Sequence, residues 1–214
     1  MKLKNQKSAS NTKKVIIVGS AGSPSVAVDI LKIEEKLNIP VVVVIHFTSS
    51  AIPTFAQHIH SETGHDVTIV DGLTILEPGI YLPEGGKDLV FVNEETVTVI
   101  DEQTSKESVH PSISALFKSL RKVANPDFTI IVLGGLGNDG AEYVKELKAK
   151  GVKFVIEKTP KFPYLPDNIA RQLGERYERY EIERIRELIK TINIQNSSEK
   201  ARKIENHTEG GDGN

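Results

Sequence analysis

The chain has no cysteine, no tryptophan and a single methionine among its 214 residues. Without cysteine it can form no disulfide, no thiolate metal site and no cysteine nucleophile, and a reducing compartment suits it. A dominant charge is also missing: 27 Lys and Arg stand against 29 Asp and Glu, a formal net charge of -2, so no basic field recommends a nucleic acid as partner. Long hydrophobic runs are absent too. No stretch approaches the roughly 18 apolar residues of a membrane span, and the lysine-rich start from Met1 to Lys14 lacks the apolar centre of a secretion signal. These absences describe a soluble, cytoplasmic protein with no integral membrane segment. The length suits one domain with a substantial core rather than two.

What is present alternates between strand and helix. Val15 to Val18 and Val41 to Ile45 are apolar without polar interruption, the pattern of strands buried on both faces of a parallel sheet. Between them, Pro24 to Leu37 places Val26, Ile30, Ile33 and Leu37 at helical spacing behind a first-turn proline. The middle carries short strands at Val67 to Val70, Gly79 to Leu82, Leu89 to Val92 and Thr96 to Ile100, separated by glycine-rich and acidic turns, which predicts an antiparallel insertion or sheet edge. Helices at Ser112 to Val123 and Ala141 to Lys150 and a strand at Val152 to Ile156 resume the alternation. The fold class is therefore α/β: a doubly wound, mostly parallel, Rossmann-like three-layer sheet with an antiparallel β-hairpin insertion.

The ends read differently from the body. Residues 1–12 and 195–214 are polar enough to predict disordered segments, leaving residues 13–194 as one α/β domain that includes a C-terminal helix. On that helix Ile182, Ile185, Leu188, Ile189 and Ile192 share one face, which suits packing on the body, with self-association as the alternative.

Three strands end in residues that can do chemistry together. Val15 to Gly19 delivers Ser20, Val41 to Ile45 delivers His46, and Phe128 to Leu133 delivers Asp139 through the turn Gly134-Gly135-Leu136-Gly137-Asn138. Ligands of open parallel sheets bind outside the carboxyl ends of the strands, so one crevice can hold all three. A serine hydroxyl needs an imidazole to take its proton, and the imidazole needs an acceptor on its other nitrogen. Each residue also has a plainer reading: Ser20 as a helix cap, His46 as an ordinary histidine, and Asp139 as a turn or cap residue. The order Ser, His, Asp differs from that of α/β-hydrolases, and no G-x-S-x-G elbow surrounds Ser20. A glycine-rich turn between strand and helix also admits a phosphate, but neither G-x-G-x-x-G nor a Walker lysine is present.

These residues resemble the catalytic domain of the CheB-type chemotaxis methylesterases, the protein-glutamate methylesterases. Gly19-Ser20-Ala21-Gly22-Ser23-Pro24 is similar to the family's Gly-Ala-Ser-x-Gly-Gly-Pro, and Val41 to His46 to its valine-rich strand ending in histidine. Pro78 to Gly86, Pro111-Ser112-Ile113-Ser114-Ala115-Leu116-Phe117 and Gly134 to Ala141 resemble three further motifs in the same order. The resemblance implies hydrolysis of glutamate γ-methyl esters, with glutamine deamidation in some members, on the cytoplasmic helices of methyl-accepting chemoreceptors in chemotaxis signal transduction. It further implies Ser20 as nucleophile, His46 as general base then acid and Asp139 as the orienting carboxylate. Oxyanion and substrate contacts fall to Ala21, Gly22, Leu136, Gly137 and Asn138, with no metal and no cofactor.

The chain departs from the pattern at several points. Its first loop is one residue shorter, so that Ser20 meets the nucleophile position with a gap and Ala21 meets it without one. Ser23 replaces a glycine, Ser114 an aspartate, Gly134 a threonine and Leu136 a methionine, and Asp88 stands where histidine is usual. Lys158 to Pro166 is only loosely similar to the family's run ending Gly-Met-Pro. The family's receiver domain finds no counterpart ahead of Val15, so control by receiver phosphorylation within this chain is not expected. A non-catalytic binding module built on the same fold is the main alternative to an esterase.

Overall fold

The computed structural model describes residues 12–101 and 109–208. In chain order the elements are β1 (Lys14–Gly19), α1 (Ser23–Leu31), β2 (Pro40–Ile45), α2 (Ile52–Thr63), β3 (Val67–Val70), β4 (Thr74–Ile75), β5 (Gly79–Pro83), β6 (Lys87–Asn93) and β7 (Thr96–Asp101). They continue as α3 (Ile113–Leu120), β8 (Phe128–Val132), α4 (Val144–Ala149), β9 (Lys153–Glu157), α5 (Tyr164–Leu173), β10 (Glu178–Tyr180) and α6 (Ile182–Thr208). Seven strands form a sheet in the order β10-β9-β8-β1-β2-β5-β3, and every pairing in it is parallel.

The apolar runs explain the layers. Strand side chains alternate faces, so a strand with no polar alternation has to be covered on both. Ile16 and Val18 of β1 face a core built with Leu116 and Phe117 of α3, Val144 and Leu147 of α4 and Ile169 of α5. Val15 and Ile17 face the other way, onto Ile30 of α1, Ile59 of α2 and Ile185 and Ile189 of α6. Winding reverses at β1: the chain first builds β2 on one side of it and later lays β8 on the other. The crevice at the carboxyl ends of β1, β2 and β8 is the place such a sheet keeps for a ligand.

The middle strands divide in a way their spacing did not separate. Val67 to Val70 and Gly79 to Leu82 belong to the main sheet as parallel strands β3 and β5. Only Leu89 to Val92 and Thr96 to Ile100 form the antiparallel hairpin β6-β7, which β4 joins as a third strand. Short strands with turn residues between them read alike whether they pair with neighbours or cross over, because pairing is decided by what covers each face.

The stretch expected to be helical from Pro24 to Leu37 stops at Leu31. Ile33 and Leu37 are buried all the same, from an irregular segment whose backbone is satisfied by α6. Asn193 accepts from Asn38 N at 2.6 Å and donates to Lys36 O at 3.0 Å, and Asn196 donates to Asn38 O at 2.8 Å. Asn196 also accepts from Lys13 N at 3.0 Å. The expected tail from 195 is corrected by the same contacts: α6 continues to Thr208, and Asn196 is buried. The expected disorder of residues 1–11 and 209–214 lies outside the described residues. Among the described residues no helix is long and apolar enough to cross a membrane.

Asn193 joins a loop to a helix, and its loss leaves Asn38 N–H without its acceptor, whereas Lys36 C=O keeps the Asn38 side-chain amide at 3.3 Å. Asn193→Ala is expected to lower stability by about 1–3 kcal/mol, measured by urea unfolding against the wild type with an unchanged m-value.

Candidate active site

Ser20 leaves the end of β1 with its own backbone stitched to the end of β8, since its N–H donates to Gly134 O at 2.9 Å. Its carbonyl accepts from Ser23 Oγ at 2.6 Å and Ser23 N at 3.1 Å, which closes the short loop before α1. Serine in place of the family's glycine at position 23 thus has a visible use. His46 follows β2 and is tied to β1 by its N–H donating to Gly19 O at 3.2 Å. Neighbouring parallel strands therefore deliver the hydroxyl and the imidazole side by side.

His46 Nδ1 lies 3.1 Å from Ser20 Oγ, and His46 Nε2 lies 2.8 Å from Asp139 Oδ2. A carboxylate can only accept, so this contact places the ring proton on Nε2 and leaves the Nδ1 lone pair facing the hydroxyl. The arrangement can move a proton from Ser20 to His46 while Asp139 offsets the resulting charge. The one-residue-shorter loop presents Ser20, and not Ala21, to the imidazole.

Asp139 is held by the start of α3. Its Oδ2 accepts from Ile113 N at 2.7 Å and its Oδ1 from Ser114 N at 2.8 Å. These are amides of a helix N-terminus, where intrahelical partners are lacking and the dipole favours an anion. Burial pushes the Asp139 carboxyl up, but hydrogen bonds from His46, from the Ser114 side chain and from the two amides outweigh it and hold the group below its ordinary 3.8. Ser114 also accepts from Gly140 N at 2.8 Å, fixing the turn that carries Asp139. Glycine is required at 140, where φ is +83° and a Cβ would lie 2.6 Å from Ile113 Cγ2. Gly135 is needed for a different reason: a Cβ there would lie 2.5 Å from Ser20 Cβ.

Ser20, His46 and Asp139 share an open cleft of about 900 Å³ with Leu136, Gly137 and Asn138. Ala21 and Gly22 do not line it. Gly22 caps α1 at φ +83° beside the Phe162 ring, so any part Ala21 takes is through its backbone. Ser112, Ser114 and Ala141 also line it, and Val109, Glu142, Lys145 and Gln172 complete the rim, these four carrying no signal that sequence reading would have caught. Among the described residues no group of three or more His, Cys, Asp and Glu could hold a metal ion.

A fourth strand end was legible and overlooked. β9 ends in Glu157, buried beneath the Gly134 turn, where its Oε2 accepts from Gly134 N at 2.8 Å. Burial pushes this carboxyl above its ordinary value, the Gly134 amide pulls it back in part, and the charge on Glu181 adds to the rise. A raised carboxyl favours folding while protonated and opposes it as pH climbs through the folded value. Glu157→Gln keeps an oxygen for Gly134 N–H and cannot ionise. It is expected to be more stable than the wild type at neutral pH, with the gain vanishing towards the ordinary carboxyl value of 4.5 in thermal melts taken across pH.

The family model for CheB methylesterase matches residues 15–189. A protein-glutamate methylesterase/protein-glutamine glutaminase of Colwellia psychrerythraea is 26% identical over 144 residues, 64% of this chain and 38% of its own length. The corresponding protein of Bacillus subtilis is 29% identical over 151 residues, 68% of this chain and 42% of its own. The chain thus spans about two fifths of the length of such relatives. The crystal structure of the Thermotoga maritima CheB methylesterase catalytic domain superposes with a TM-score of 0.73 at 20% identity, covering 83% of this chain and 97% of that one. With the doubly wound sheet, the small antiparallel sheet and a family match over most of its length, the chain belongs to the CheB methylesterase family.

Proposed function

We propose that this chain is a serine esterase for γ-methyl esters of protein glutamate, with Ser20 as nucleophile, His46 as general base then acid, and Asp139 as the orienting carboxylate. The observation that carries the reading is the unbroken line from Ser20 Oγ through both His46 nitrogens to Asp139, at 3.1 and 2.8 Å, along one wall of an open cleft. Both distances fall within the reach that proton transfer needs.

The chemistry follows from the donors and acceptors in place. Ser20 Oγ attacks the ester carbonyl as His46 Nδ1 takes its proton, and Nε2–H stays on Asp139. The C–O bond to the methoxy group breaks, His46 returns the proton, and methanol leaves an acyl-enzyme on Ser20. Water then gives a proton to His46 and attacks the same carbonyl, freeing glutamate and restoring the serine hydroxyl. A glutamine side chain can enter by the same route with ammonia as the leaving group.

The oxyanion formed at each attack needs donors nearby. The N–H groups of Ser20, Gly134 and Gly135 are spent on Gly134 O, Glu157 and Phe162 O. The amides of Ala21 and Leu136 are our candidates. The same accounting disfavours a phosphate in the first loop, because Ser20 N and Ser23 N already have partners. The openness of the cleft supports a protein segment as substrate, and the names of the relatives together with the family resemblance point to the cytoplasmic helices of methyl-accepting chemoreceptors.

Ser20→Ala and His46→Ala are each expected to reduce hydrolysis of a methylated receptor fragment by at least about 10⁴-fold without lowering the thermal unfolding midpoint. Full activity in Ser20→Ala would overturn the assignment of the nucleophile. An inactive wild type that still retains the receptor fragment on a column would instead establish a binding module.

A further inference from the structure

We propose that Asp88 and His110 form a positioning pair for Asp139, acting through the N-terminus of α3. The kinetic consequence rests on the esterase reading above; the structural one does not. At the start of α3 the N–H groups of Ser112, Ile113, Ser114 and Ala115 each have an acceptor. Asp139 takes those of Ile113 and Ser114, and Ser112 Oγ takes that of Ala115 at 3.1 Å. The remaining one, Ser112 N–H, donates to Asp88 Oδ1 at 2.7 Å. Asp88 therefore fixes the peptide that immediately precedes the two fixing Asp139, and through it the direction in which their N–H groups point.

Asp88 is fully buried near the start of β6, and it does not line the cleft. Its Oδ1 also accepts from His110 Nδ1 at 2.9 Å, whereas Oδ2 is buried with no partner among the described residues. The helix already has a second tie to the same strand, from Phe91 N to Ser119 Oγ at 2.9 Å, and an apolar face packed in the core. What Asp88 adds is orientation at the one end that meets Asp139. Ser112 Oγ also leans towards Asp139 Oδ1 at 3.4 Å, so a shift of this residue is felt at the carboxylate directly. His110, at the chain's approach to α3, supplies a ring nitrogen as a second donor to Oδ1 and so orients the Asp88 side chain in turn.

Loosening this arrangement lets the Asp139 carboxylate turn away from His46 Nε2. Neither Asp88 nor His110 lines the cleft, although Ser112, through which Asp88 acts, does, so the effect falls mainly in turnover. Asp88→Ala is expected to lower kcat by about tenfold or more with a much smaller change in KM, and Asp88→Asn, which keeps an oxygen for Ser112 N–H, to recover most of the loss. By proton NMR, the His46 Nε2–H resonance is expected to move upfield and exchange faster with water in Asp88→Ala, with Asp88→Asn intermediate.

A folded Asp88→Ala protein with wild-type kcat and an unmoved His46 resonance overturns the proposal, as does a lower unfolding midpoint with that resonance in place. If Asp88→Ala does not fold, His110→Gln is judged by the same two readouts, and no change in either is equally fatal. If the wild type hydrolyses no ester, the resonance alone decides, which separates failure of the positioning pair from failure of the esterase reading.

Discussion

Peptide N–H groups at the start of a helix have no partner within it, and in α3 they belong to buried residues, Ser112 to Ala115. The rest of the site hangs on how that need is met. Asp139 answers two of the four, and in doing so its carboxylate is turned so that Oδ2 also meets His46. The helix gains its acceptors and the imidazole gains its orientation from one side chain. Ser114 serves the same end from the other direction, since its amide holds Asp139 and its hydroxyl holds the amide of Gly140 just beyond. Serine here, where related enzymes have an acid, gives the turn an acceptor without a second negative charge beside Asp139.

Much of the sheet could be read from unbroken apolar runs, because a strand covered on both faces leaves that mark whatever its neighbours are. Ser20, His46 and Asp139 were visible for a related reason: polar residues stand out at the end of such runs. Glu157 obeys the same rule at the end of β9 and was missed, since a glutamate followed by lysine resembles an ordinary solvated pair. Nothing local announces that it lies under Gly134. The extent of α1 and the start of the supposed tail were misjudged for a tertiary reason. Ile33 and Leu37 keep a helical period, yet the chain there is irregular because Asn193 and Asn196, more than 150 residues away, satisfy its backbone. Polar composition made the end of α6 look solvated, although two of its asparagines face inward for their hydrogen-bonding groups.

The first loop shows how a deletion can be absorbed. With one residue fewer than the family pattern, the turn after β1 closes on itself through the Ser23 hydroxyl, and Ser20 keeps its amide on Gly134. The facing Gly135 approaches so closely that a methyl group would not fit, so the two turns are fitted to one another as a pair. Changes on one side of this contact are constrained by the other, which explains why a departure in the loop need not displace the hydroxyl.

Ser20 and His46 are 26 residues apart, and His46 and Asp139 are 93. No local segment holds two of the three groups, and β8 can bring Asp139 only after the whole hairpin region and α3 have been passed. Contacts so distant in sequence form late and slowly in a folding chain. A nascent or partly folded molecule therefore has not yet brought Ser20, His46 and Asp139 together, and their hydrogen-bonded line exists only once the central strands have paired. Completion of the fold is itself the step that assembles the site.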